Sequence, residues 1–347
     1  TTEIYTLSLH DALPISFDTS GIENYQNWFS VKDIFPVNVS GIVTARDGFV
    51  IDSKRKDLEH RIELMRDLSI PQEIITSTFK LKDTRSWKVN IIRETLSKMN
   101  NWENKITKIA YRPFDERYIF YGKELVDWPR PEVMRHMNED NLALVTVRQS
   151  KTGSTWQHAF ISTMITESCL VSNQTSEIGY VFPLYLYPDE TKVENMLPMD
   201  SLPREIMEKT ANIDEGLFSE LEKTYKKKLR PEDVLYYVYA ILYSDAYREM
   251  YVEFLKIDFP RIPFTKDYDV FVKMSKLGER LKNLHLITSE ELDIPSVKYQ
   301  GQSDNIVKFR RYNQDERRLY INEVNYFENV EPEVWEYQIG GYQVLDK

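Results

Sequence analysis

The sequence predicts an α+β fold: a recognition region of mixed or antiparallel strands, a helical block, and a returning C-terminal hairpin. Three observations lead there. Apolar residues recur at helical spacing over 52–99 and again over about 201–286. Strand-like runs punctuated by Pro and Gly occupy 106–188, and alternation returns over 306–321.

Taken in order, Leu58, Ile62, Leu64 and Met65 give the first helical stripe, and Trp87, Ile91, Ile92, Leu96 and Met99 repeat it. Runs 106–111 and 117–121 flank a Pro113-Phe114-Asp115-Glu116 turn. A short helix over 131–138 has Pro131 at its first position. Further strands are expected at 142–148, 157–161 and 178–186. Pro231-Glu232-Asp233 opens a helix carrying Val234, Leu235, Val238, Ile241 and Leu242. Asp245 is expected to cap the next, and Asp267 to open a third with Phe271, Met274, Leu277, Leu281 and Leu284 on one face. The closing hairpin is expected around Tyr312-Asn313-Gln314-Asp315.

This divides the chain into a mainly helical connecting region (17–104), a strand-rich recognition region (105–190), a helical block (191–290) and a hairpin region (291–347). Residues 5–16 resemble translated sequencing-adapter read-through, so 1–16 are set aside as non-native, and the far end is expected to be truncated.

Composition narrows the chemistry. The 347 residues, 41% hydrophobic and 29% charged, describe an ordinary folded protein of roughly two domains. Its glycines never form GxG and never precede Lys-Ser or Lys-Thr, which excludes a dinucleotide fingerprint and a P-loop. The single Cys169 cannot make an internal disulfide and reads as a small buried residue. The histidines form neither HxH nor HExxH, so no metal site is expected. No GxSxG elbow or Asn-Pro-Pro-Tyr loop occurs. Pro188-Asp189-Glu190-Thr191-Lys192 is too contiguous to present a nuclease metal site from two strands. No catalytic residue is assigned. The absence of an eighteen-residue apolar run argues against a membrane span.

A net charge of -10 argues against a protein that coats nucleic acid without sequence preference. A specific reader remains open. Arg112, Arg117, Arg130 and Arg135 interleave with aromatics, and Arg148-Gln149-Ser150-Lys151-Thr152 runs toward Trp156 as a polar loop between strands. Arg can take guanine bidentately, Gln can take adenine, and Lys, Ser and Thr suit phosphate oxygens. In the hairpin, alternation puts Val307, Phe309, Leu319 and Ile321 inward, with Lys308, Arg310, Arg318 and Tyr320 on a basic outer face. That face fits either a groove-binding ribbon or a solvated sheet. Lys226-Lys227-Lys228 suits a helix end. Arg261, in Pro260-Arg261-Ile262-Pro263, either reaches a phosphate or ties the helical block to the sheet.

Several stretches together resemble the C-terminal specificity domain of type ISP and related single-chain restriction-modification enzymes. They are Tyr111–Arg117, Trp128–Met134, Phe182–Pro188, Tyr239–Ser244 with Tyr247-Arg248, Asp258–Phe264 and Ile339–Val344. The resemblance, over approximately 24–347, implies a target-recognition domain that reads duplex DNA beside an upstream N6-adenine methyltransferase of the same polypeptide. It implies no cofactor in this chain, S-adenosylmethionine, ATP and Mg in the parent, and a bacterial or archaeal cytoplasm. The alternatives are a protein-interaction scaffold, or a fragment with residual methyltransferase or nuclease activity.

Overall fold

A computed structural model describes residues 24–151, 155–171, 177–189, 208–340 and 342–346. Three two-residue strands come first: β1 (Phe29–Ser30), β2 (Val39–Ser40) and β3 (Ile51–Asp52). Each pairs with a strand far along the chain, so the N-terminal region is woven into the body rather than appended to it.

Three helices follow: α1 (Arg55–Arg66), α2 (Gln72–Phe79) and α3 (Val89–Ser97). Leu58, Ile62 and Met65 form the buried stripe of α1. In α3 the structure departs from the sequence pattern. Ile91 is exposed, Trp87 lies ahead of the helix, and Arg93 takes the buried position. Its guanidinium donates to the carbonyls of Met65, Asp67 and Ile70. These carbonyls close α1 and the turn behind it, where helical partners run out.

Strands β4 (Ile106–Arg112) and β5 (Asp115–Phe120) make a hairpin tighter than expected, with Pro113-Phe114 as its turn and Phe114 at φ 62°. They form the antiparallel sheet β3-β5-β4. Pro131 opens α4 (Pro131–Met134), which runs on as a 3-10 turn to Asn138. Next come β6 (Ala143–Val147), β7 (Ala159–Ser162), β8 (Gly179–Pro183) and β9 (Tyr185–Leu186). The first three join β2 in the antiparallel order β2-β8-β6-β7, with β6 inside. Every residue of β6 is buried. Its alternate residues Ala143, Val145 and Val147 enter the core beneath α1–α3, while Leu144 enters the core of the helical block. The sheet is therefore covered on both faces.

β10 (Thr210–Ala211) pairs with β9 and leads into α5 (Glu215–Tyr225). Asp214 caps α5 by accepting from the Leu217 amide. Lys226, at φ 53°, ends it, and Lys228 pairs with Glu222 at 3.1 Å, as suits the end of a helix. α6 (Pro231–Leu242) is buried continuously from Val234 to Leu242 and forms the axis of the block. The cap of α7 (Asp245–Leu255) is Ser244, one residue before the Asp245 expected, because the Ser244 hydroxyl accepts from the Tyr247 amide. β11 (Arg261–Ile262) pairs with β1, and Asp267 caps α8 (Tyr268–His285) as expected.

The C-terminal region is a separate four-stranded antiparallel sheet rather than a lone ribbon. β12 (Lys298–Gln300), β13 (Arg311–Asn313), β14 (Arg318–Tyr320) and β15 (Tyr326–Glu328) take the order β12-β15-β14-β13. The hairpin is shorter than the alternation suggests. Residues 304–310 lie outside it, because Asn322 and Asn325 side-chain amides satisfy the Asp304 and Ile306 carbonyls that a strand would have paired. The chain is thus α+β. Among the described residues no helix is long and apolar enough to cross a membrane.

Candidate nucleic-acid interface

The candidate residues fall into four groups. The polar loop after β6 is the most exposed. Arg148, Gln149 and Lys151 are exposed, whereas Ser150 is buried and anchors them. The Ser150 amide donates to the Lys256 carbonyl at 3.2 Å, and its hydroxyl lies 3.4 Å from His158 Nε2. The Lys151 amide donates to Glu177 at 2.8 Å. Arg148 pairs with Asp258 at 3.0 Å, with half of each side chain open to solvent. Such a pair is worth only about 0–1 kcal/mol, so an incoming acceptor can replace Asp258 cheaply. Thr152 lies outside the described residues. Trp156 is a correction: it is 1% exposed and packs in the core of the helical block, with the Arg248 guanidinium 5.9 Å from its ring. It supports the loop from beneath and cannot present its ring to DNA.

The second group surrounds the β4–β5 turn. Arg112 and Arg117 flank Tyr111, their guanidinium carbons 4.0 and 4.2 Å from the ring centre. Arg117 forms a fork on Asp115 at 2.7–3.0 Å. Arg112 pairs with buried Glu167, whose carboxyl burial pushes up while the Arg112 charge pulls it down. Glu167 also accepts from the Ser168 hydroxyl and the Cys169 amide. Arg112 is thereby an internal tie rather than a free surface cation. Cys169 itself is half-buried. Below the same turn a cleft of about 410 Å³ is lined by Phe114, Phe160, Met164, Asp115 and His285.

The third group lies at the two ends of α4. Arg135 donates to the Tyr187 carbonyl at 2.8 Å. Arg130 lies 4.8 Å from the centre of the Trp128 ring. Sequence reading missed Trp128 as a site residue; its signal was a large aromatic set between Asp127 and Pro129-Arg130. It also missed Lys209, whose ammonium lies 4.1 Å from the centre of the Tyr185 ring.

The C-terminal sheet carries the fourth group. Leu319 and Ile321 are buried, as the alternation requires, but Val307 is exposed and Phe309 only half-buried, because residues 304–310 are not on a strand. Arg318, on β14, pairs with Glu316 and lies over Tyr326. Lys308 and Arg310 are not on a strand, and they face Asp304 and Asp346 at 4.0 and 3.5 Å. The basic ribbon is therefore interleaved with carboxylates. Arg261 donates to the Trp28 carbonyl at 2.7 Å and ties β11 to the N-terminal segment.

Three buried histidines support these surfaces in neutral form. Burial, reinforced by neighbouring arginines, pulls His136 and His158 down to about 4 and His285 to about 3. Among the described residues no group of three or more His, Cys, Asp or Glu could hold a metal ion.

Solved structures with this fold include a nuclease-deletion mutant of the Type ISP restriction-modification enzyme LlaGI in complex with a DNA substrate mimic. It is 21% identical with a TM-score of 0.64, covering 92% of this chain and 29% of that one. The DrdV–DNA complex is 20% identical with a TM-score of 0.70, covering 93% and 33%. The ATP-dependent Type ISP enzyme LlaBIII bound to DNA is 20% identical with a TM-score of 0.68, covering 92% and 21%. The chain thus spans a third or less of each. None of the curated proteins matches it. The model of the Type ISP C-terminal specificity domain matches residues 33–346, and the chain belongs to that family.

Proposed function

We propose that this chain is the DNA target-recognition part of a restriction-modification enzyme, reading an asymmetric duplex site for an N6-adenine methyltransferase in the same polypeptide. The observation that carries the reading is the loop 148–151. Its amides are pinned to Lys256 and Glu177, while Arg148, Gln149 and Lys151 stand exposed at the end of a sheet buried on both faces. Recognition needs side chains with free donors on a backbone that does not move, because ordering a loop on binding subtracts from affinity. The fold shared with three DNA-bound enzymes supports the same reading.

Methylation and cleavage then belong to parts outside this chain, with S-adenosylmethionine, ATP and Mg as their cofactors, in a bacterial or archaeal cytoplasm. Replacing Arg148, Gln149 and Lys151 together by Ala tests the assignment. A drop of about ten-fold or more in affinity for a selected duplex, with a shallower salt dependence, is expected. Unchanged affinity would favour a protein-interaction scaffold instead.

A further inference from the structure

Every candidate arginine but one is already engaged. Arg112, Arg117, Arg148, Arg310 and Arg318 hold carboxylates, and Arg135 and Arg261 hold backbone carbonyls. Arg130 is the exception. Its carbonyl accepts from the Val133 and Met134 amides, but among the described residues its side chain makes no hydrogen bond or ion pair, and its Nε is buried without a partner. What it does touch is the ring of Trp128.

Trp128 is unusual in its own right. Of the protein's six tryptophans it is the only one in the exposed class, at 55%. The backbone that carries this indole is held in place. Its amide donates to the Val43 carbonyl at 2.9 Å, and its carbonyl accepts from the Val43 amide at 3.2 Å. The Pro129 carbonyl accepts from Tyr121 Oη at 2.8 Å, and Pro131 follows Arg130, whose backbone is left-handed at φ 55°. The adjacent Asp127 is neutralised by Arg46 at 2.7 Å. Glu132 remains as an opposing charge, so the ledge contributes local contact rather than bulk attraction.

A flat apolar face on a fixed backbone, beside an unengaged guanidinium, matches a nucleic-acid backbone that alternates sugar with phosphate. We propose that Trp128 and Arg130 form a second DNA contact, separate from the loop 148–151. Trp128 lies flat against a backbone sugar, and Arg130 bonds the neighbouring phosphate. This contact carries grip rather than base readout, because every step offers a sugar and a phosphate whatever its sequence. It rests on the DNA-reading assignment above.

The test uses intrinsic fluorescence of the 347-residue chain titrated with duplex DNA, alongside anisotropy of labelled DNA. DNA is expected to shield one acrylamide-accessible tryptophan, and Trp128→Phe is expected to remove that accessible component. Trp128→Ala should weaken binding about ten-fold, while Trp128→Phe, which keeps a flat ring, should stay within about three-fold of wild type. Arg130→Ala should reduce the slope of log affinity against log salt by about one, and Arg130→Lys should retain it. If wild type binds DNA but Trp128 stays open to acrylamide and Arg130→Ala leaves the slope unchanged, this proposal fails alone. If wild type binds no DNA, the proposal and the assignment beneath it both fail. Shielding of Trp128 by a protein partner without DNA would assign the ledge to a protein interface and overturn it.

Discussion

Arg112 and Trp156 show what a single side chain gives and withholds. Both sit among polar and aromatic neighbours in sequence, and both have the chemistry of a DNA contact. Their partners are distant: Glu167 is 55 positions from Arg112, and Trp156 packs among residues of the helical block. Nothing local announces either, so the surface role read from sequence became an internal one. Glu167→Gln should cost about 3–5 kcal/mol, since it leaves the Arg112 charge buried without its counter-charge. Trp156→Ala should cost about 3–5 kcal/mol through the cavity it leaves. Denaturant unfolding reads both, and loss of DNA affinity without loss of stability would return either residue to the interface. The histidines make a further prediction at this scale. With an ordinary value of 6.5 and folded values near 4 and 3, His158 and His285 stay neutral while the unfolded chain takes up protons. Their contribution is complete above about pH 6.5 and is lost as pH falls toward 4, by up to about 1.4 kcal/mol per pH unit for each. Stability that is flat over that window would contradict their neutral burial.

Helices were the most legible elements, and the reason is periodicity. α1 and α8 each repeat a buried stripe over two turns or more, and α6 is apolar over most of its length, so the pattern outlasts local exceptions. Strands of two residues, such as β1, β2 and β11, carry no period at all, and their pairings depend on segments far along the chain. The stretch 304–310 alternates like a strand, yet asparagine side chains from beyond β14 take its carbonyls and hold it as a loop. Helix packing offers a test of its own. α6 and α8 approach so closely at Gly278 that a Cβ there would stand 1.9 Å from the Tyr236 carbonyl oxygen. Gly278→Ala should therefore separate the two helices and destabilise the protein by about 1–3 kcal/mol or more. A neutral effect on the unfolding midpoint would mean that the two helices pack less tightly than this.

At the scale of the molecule, bulk charge was the misleading quantity. A chain of net charge -10 reads as a poor nucleic-acid binder until its cations are located one by one. Most of the candidates turn out to be neutralised, which fits recognition through a few placed groups rather than a basic coat. The order of motifs along the chain made the family legible from sequence. Which of their arginines remain available was not, because that depends on carboxylates brought in by folding. The most direct test is selection from a randomised duplex library by the purified chain, followed by sequencing of the bound pool at two salt concentrations. Enrichment of one asymmetric motif, sharper at the higher salt and lost in the Arg148, Gln149, Lys151 triple-Ala variant, is the expected result. A bound pool as random as the input would contradict sequence-specific recognition by this chain.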